Sequence, residues 1–188
     1  MTNMPGKSTR EQCWDHVIYS FGTGFIFETR AKRLRRALRW LTFLGIAVPV
    51  AIGAIVLTFG TKSDALPFLL IAAGILAVAQ LVLSVWSLVA AWNDNLAYSV
   101  ESARSNYRLV ARYEDLGRNA PADIDVRFNI LEAERQARED QDIARDLTEK
   151  EKRMGLRTGL RKLQRACVSC KNVPMDMKSS DCPVCGQF

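Results

Sequence analysis

The sequence predicts an all-α membrane protein: a two-helix transmembrane hairpin, a helical cytoplasmic extension and a small C-terminal ribbon stapled by cysteines. Three observations predict it. Charged residues are absent from Trp40 to Thr61 and again from Ala65 to Asn93, whereas residues 94 to 165 carry a charge every few positions. Six cations, Arg30, Lys32, Arg33, Arg35, Arg36 and Arg39, stand together with no acid among residues 30 to 39. Four of the five cysteines fall in two CxxC turns near the C-terminus. The hydrophobic fraction of 48% is ordinary on average, so its distribution carries the assignment.

Four segments follow: a basic, amphipathic cytoplasmic segment over 1–39, the hairpin over 40–92, a cytoplasmic helical region over 93–165 and the ribbon over 166–188. The first 39 residues lack a hydrophobic stretch ending in a small-residue cleavage site, so the first span is expected to be retained as an anchor. Within them Cys13, Trp14, Val17, Ile18, Phe21 and Phe25 are spaced for one helical face, which Gly22 and Gly24 weaken. That face is expected to pack on the other cytoplasmic helices, with Cys13 as a small apolar residue and the lone His16 incidental.

The formal net charge of +6 equals the six clustered cations, leaving the rest of the chain neutral. Basicity confined to the edge of a hydrophobic run points to membrane topology and anionic lipid rather than nucleic acid.

Leu41 to Gly60 supplies twenty apolar residues, about 30 Å of helix, which matches the hydrocarbon thickness. Leu66 to Trp92 is longer, enough to cross with tilt or to project a turn or two beyond the lipid, with Trp86 and Trp92 near the exit. Only TKSDA separates them, and its Lys62 and Asp64 cancel, so the spans form an antiparallel pair. The positive-inside rule then puts both termini in the cytoplasm. Pro49 is expected to interrupt the first span, and Gly45, Pro49 and Gly53 to admit a close neighbour. On the second, Ala73, Ala77, Gln80, Ser84, Ser87 and Ala91 form a stripe of small and polar side chains. Such a stripe either packs against the first span or lines a water-filled path in an oligomer, since one hairpin encloses no pore.

Beyond the second span, Leu96, Val100, Ala103, Tyr107 and Val110 predict that the helix continues to Gly117, where Asn119, Ala120 and Pro121 break it. A further helix from about Ala122 shows Ile124, Phe128 and Leu131 on one face, then becomes a solvated charged run from Glu132 to Arg153. Leu156, Leu160 and Leu163 predict a short amphipathic helix, and Arg157, Arg161, Lys162 and Arg165 on its other positions either solvate it or form a basic patch for the phosphate of lipid or nucleic acid, with solvation expected.

The tail carries Cys167, Cys170, Cys182 and Cys185 as CVSC, eleven residues, then CPVCG. Paired CxxC turns offer two thiolates each and close a tetrahedral all-sulfur site, so a structural zinc is expected. So short a ribbon buries too little to fold alone, and metal would supply about 10 kcal/mol or more. Disulfides conflict with a reduced cytoplasmic tail. A rubredoxin-like iron centre shares the CPVCG knuckle but needs an aromatic core missing from this tail. No nucleophile and base pair, P-loop or GxGxxG appears, so no enzyme is expected.

The basic segment, the minimal hairpin, the stretch NLAYSVESARSNYRLVARYEDL and above all the spacing of Cys167, Cys170, Cys182 and Cys185 resemble the mobilome-associated CxxCx11CxxC proteins. These are bacterial relatives of the SLATT proteins, two-transmembrane effectors associated with nucleotide-second-messenger sensing. The resemblance implies a role in defence against phage and other invading elements. An inner-membrane effector would oligomerise and breach the membrane when a cytoplasmic protein sensor or activator triggers it. The alternative is a membrane-tethered zinc-ribbon adaptor that grips a protein partner without conducting.

Overall fold

The computed structural model describes residues 7–59 and 66–188, which form five helices and no strand: α1 (Thr9–Phe59), α2 (Leu66–Val89), α3 (Trp92–Asn119), α4 (Ile124–Ile143) and α5 (Glu149–Lys162). They make two compact units. One, the hairpin unit, runs from Arg30 to Tyr98; the other, the helical unit, joins the chain up to Thr29 with Ser99–Phe188. The expected TKSDA turn, with Lys62 and Asp64, lies outside the described residues.

In the hairpin unit α1 and α2 are each long and apolar enough to cross a membrane. Their large side chains face outward, with Ile46 and Val50 on α1 and Phe68, Leu81 and Leu88 on α2 all well exposed. A surface this apolar demands lipid or another apolar partner. Contrary to expectation, α1 runs through Pro49 without a break. A spanning helix tolerates the lost N–H where neighbouring groups re-satisfy the freed carbonyl. Of the expected small-residue ridge, Gly45 lies against the amide of Gln80, whereas Gly53 meets nothing within 4 Å.

The second span does not flow into the next helix as predicted. Ala91 takes a left-handed φ of 47°, and the chain turns there between α2 and α3. Asn95 stabilises the turn by donating its side-chain amide to Ala90 O at 3.0 Å and its backbone N–H to Ala91 O at 2.9 Å. These bonds occupy carbonyls that an ending helix leaves without partners.

The helical unit is built on the first turns of α1. Cys13 and Val17 sink into a cluster with Leu109, Val110, Tyr113 and Leu116 of α3 and Phe128 and Leu131 of α4, with Trp14 and Phe21 packed at its edge. Cys13, Trp14, Val17 and Phe21 of the expected packing face therefore pack there, whereas Phe25 is half-buried outside this cluster; Phe27 is among the largest fully buried side chains. Full burial of a residue such as Val17, Phe27 or Leu109 is worth about 1.5–3 kcal/mol.

Another side of the same helix meets α5. A β-carbon on Gly22 would lie 2.6 Å from the Gly155 carbonyl oxygen, and one on Gly159 would strike the Ile18 carbonyl. The glycines expected to weaken α1 leave it continuous: Gly22, with Gly155 and Gly159 of α5, lets two helix backbones touch, and Gly24 lies against the Tyr107 ring. Each costs its helix about 1 kcal/mol of propensity, which the close contact offsets.

Nor is the stretch after Leu131 a uniform solvated helix. It stops at Ile143, and α5 begins afresh behind a capping box in which Thr148 Oγ1 accepts from Glu151 N–H and the Glu151 carboxylate accepts from Thr148 N–H. Asp142 is 3% exposed and accepts from Ser102 Oγ at 2.7 Å, Asn106 Nδ2 at 3.0 Å and Arg138 Nη2 at 2.9 Å. A buried carboxylate held by donors from these residues fixes where the end of α4 meets α3, because any shift strands a charge. Asp142→Ala is expected to cost about 3 kcal/mol, read as a fall in the melting temperature of the detergent-solubilised protein.

His16 lies on α1 with its ring centroid 5.2 Å from Tyr113 and 5.5 Å from Phe128, and its Nε2 is 3.3 Å from Glu132 Oε2. Its buried Nδ1 has no hydrogen-bond partner among the described residues. Burial holds the imidazole below its ordinary 6.5 against the nearby carboxylates of Glu132, Asp15 and Glu139, with Arg135 acting alongside burial. A folded value below the unfolded one means the unfolded chain binds the proton first. Stability is then complete above about 6.5 and falls as pH drops below it. His16→Phe, which retains the ring packing, is expected to flatten this slope in melting curves taken between pH 5 and 7.

Candidate metal centre

Two backbone knuckles hold the four cysteines. In the first, Lys171 N–H donates to Cys167 O at 2.9 Å and Cys167 N–H to Asn172 O at 3.0 Å. Lys171 pays for the tight turn with a left-handed φ of 59°. In the second, Gly186 occupies the equivalent place after the last cysteine, and its N–H donates to Cys182 O at 2.9 Å. A side chain on Gly186 would run into the Ser180 and Cys182 carbonyl oxygens.

All four sulfurs lie within 4.8 Å of one another, with Cys167 and Cys182 at 3.9 Å and Cys170 and Cys185 also at 3.9 Å. A tetrahedral ion with metal–sulfur bonds of about 2.3 Å requires sulfur–sulfur edges of about 3.8 Å, so the residues fit a metal ion. Backbone N–H groups of Cys185 and Val184 point at the Cys182 sulfur and bring that thiol down to about 6. Burial and the neighbouring sulfurs push Cys185 up. Four thiols this close cannot all ionise against one another unless a cation takes the place of their protons. Four sulfur donors would complete a tetrahedron around such an ion and leave no position open for a substrate.

The cysteines are not isolated from the helices. Cys167, Cys182 and Cys185 share one buried cluster with Ile18 of α1 and Leu160 of α5, bordered by Leu156, Leu163 and Val184. Arg157 was expected to solvate α5 but is 8% exposed. It donates from Nε to Asp176 O at 2.8 Å and from Nη1 to Ser180 Oγ at 3.2 Å and Cys185 O at 3.3 Å. One guanidinium therefore ties three points of the ribbon to α5. Two of its neighbours are also engaged, Lys162 with Glu114 at 3.2 Å and Arg165 with Asp15 at 3.0 Å, whereas Arg161 is exposed. Sequence reasoning missed Arg157 because a cation reads as solvated. The available signal was its place three residues before Leu160, on the flank of the apolar stripe.

The other predicted residues occupy the hairpin unit. Along the α2 stripe Ser87 is buried, and Ala73, Gln80 and Ser84 are half-buried. Ala77 is exposed, and Ala91 lies in the turn beyond the helix. The amide of Gln80 lies against Gly45. Arg30, Lys32, Arg33, Arg35, Arg36 and Arg39 all fall on α1, and all but the half-buried Arg30 are exposed.

The purified chain is expected to carry one tetrahedral dication, seen as thiolate-to-metal charge-transfer absorption after cobalt substitution and abolished in Cys182→Ser. Arg157→Met keeps the apolar stem but loses the three donors, and is expected to release metal to a chelator at about tenfold lower chelator concentration.

No curated protein and no solved structure matches the chain. A family model does match, over residues 10–188, which takes in both long apolar helices and both cysteine knuckles. On that match, and with eleven residues between Cys170 and Cys182 as its name specifies, the chain belongs to the mobilome CxxCx(11)CxxC protein family.

Proposed function

We propose that this protein is a bacterial inner-membrane effector of a defence system, in which several copies of the hairpin assemble and breach the membrane when a cytoplasmic protein partner triggers them. The observation that carries the reading is α1 itself. Its first turns form the centre of the unit that holds the metal site, and its last turns are the first apolar span. A partner that engages the metal-bearing unit therefore acts on the helix that enters the lipid. The mobilome family gives the setting, and the defence role follows from it by association. Both termini lie in the cytoplasm on this reading, the N-terminal side being fixed by the cations from Arg30 to Arg39. Zinc is the resident metal, since an all-thiolate tetrahedral set with no open position suits it. When bound, it cross-links the two knuckles and stabilises their fold.

In the assembled effector the stripe of Ala73, Ala77, Gln80, Ser84 and Ser87 faces the conducting path, because a polar face inside lipid prefers water or protein. A second reading has an observation of its own. Val168 and Met175 stand 77% and 74% exposed on the ribbon, apolar side chains suited to a protein partner. They would also serve a tethered adaptor that conducts nothing.

Dye release from liposomes containing zinc-loaded protein, with its mass measured in detergent, separates the two. The effector reading expects release from a discrete oligomer and at least about a tenfold loss of release in the Gln80→Leu, Ser84→Leu variant, which removes the polar lining. Release that survives this change would take the stripe out of the path. Tight liposomes around a monomer or dimer that still captures its partner through the ribbon would establish the adaptor.

A further inference from the structure

The cations ahead of the first span are not equivalent. Arg35 and Arg39 sit one helical turn apart on α1 and line, with Leu38, Thr42, Phe43 and Leu96, a groove of about 410 Å³. Arg33 and Arg36 belong to the same run and lie outside it. Neither Arg35 nor Arg39 meets a carboxylate among the described residues. The Thr42 hydroxyl is occupied, donating to Leu38 O at 2.9 Å, so the polar rim of the groove is guanidinium. The remaining lining, Leu38, Phe43 and Leu96, is apolar. Trp40 stands edge-on to Phe43 at 5.8 Å, 64% exposed, the kind of ring that settles at a headgroup boundary.

Side chains one turn apart on a helix begin about 5–6 Å from each other, so two guanidinium forks can converge on the oxygens of one phosphodiester. A soluble anion would use the forks and leave the apolar lining wet. A zwitterionic headgroup would bring a cation for which the lining has no acid. An amphiphile with an anionic phosphate head and a hydrocarbon tail uses every part.

We propose that this groove binds one anionic glycerophospholipid, its phosphodiester held by Arg35 and Arg39 and an acyl chain lying along Leu38, Phe43 and Leu96. The inference rests on the hairpin being embedded in a membrane, and it turns a diffuse charge attraction into a discrete site. The lipid then supports the start of the first span directly.

The test uses the delipidated full-length protein in detergent, titrated with phosphatidylglycerol or phosphatidylcholine and read by native mass spectrometry. Two variants lose equal charge: Arg35→Gln with Arg39→Gln inside the groove, and Arg33→Gln with Arg36→Gln outside it. The unaltered protein and the outside pair should each retain one phosphatidylglycerol in preference to phosphatidylcholine. The inside pair should weaken that lipid by about tenfold or more. Leu96→Trp, which fills the apolar lining without touching charge, should weaken it as well. Equal losses from both pairs, equal binding of the two lipids, an unaffected Leu96→Trp, or displacement by millimolar inorganic phosphate would each overturn the proposal. Flotation with vesicles keeps the two readings apart. The inside pair should still float, because the spans insert on their own, whereas an unaltered protein that fails to float would remove the membrane reading beneath the site.

Discussion

One helix has to satisfy two cores at once. Cys13 and Val17 of α1 are committed to α3 and α4, while Ile18, one position on, is committed to α5 and the cysteine cluster. Successive positions on an α-helix point about 100° apart, so α1 is gripped from different sides within a single turn. Neither grip can be loosened without disturbing the other. The remaining order of the helical unit depends on this arrangement: α4 is fixed by the buried Asp142, and the ribbon is held on α5 by Arg157.

The ribbon shows why that dependence arises. From Cys167 to Phe188 the chain forms turns and bends without helix or strand, and more of its residues are exposed than buried. A segment of this kind buries too little apolar surface to offset its conformational entropy. Its order comes from outside, through the apolar cluster around Ile18 and Leu160 and the guanidinium that reaches its carbonyls, to which a metal ion held by the four sulfurs would add a cross-link. Hydrogen bonds to buried backbone carbonyls are costly to lose because the carbonyl stays buried when its donor is removed.

The hairpin and the metal centre were legible in the sequence because their signals are local. A run without charge and a pair of CxxC turns need no knowledge of what lies opposite them. The packing face of α1 was legible for the same reason, from the spacing of Cys13, Val17 and Ile18. The parts that were not legible all depend on a partner distant in the chain. Asp142 looked solvated among alternating charges until Ser102 and Asn106 of α3 came against it. Arg157 looked like surface decoration, although the acceptors it meets are backbone carbonyls that no composition reveals. The turn at Ala91 was hidden because alanine favours helix, and the bonds from Asn95 override that preference.

The glycine seam constrains how this chain can vary over evolutionary time. At Gly22, Gly155 and Gly159 the space a β-carbon would need is taken by the opposite backbone, and a backbone cannot be repacked as a side chain can. Apolar positions in a core drift by exchanging volume with their neighbours, one compensating substitution at a time. These three positions have no such route, because no change on the facing helix makes room for a methyl group at the seam. Among descendants of this sequence they are where glycine is expected to persist while the leucines and valines around them turn over.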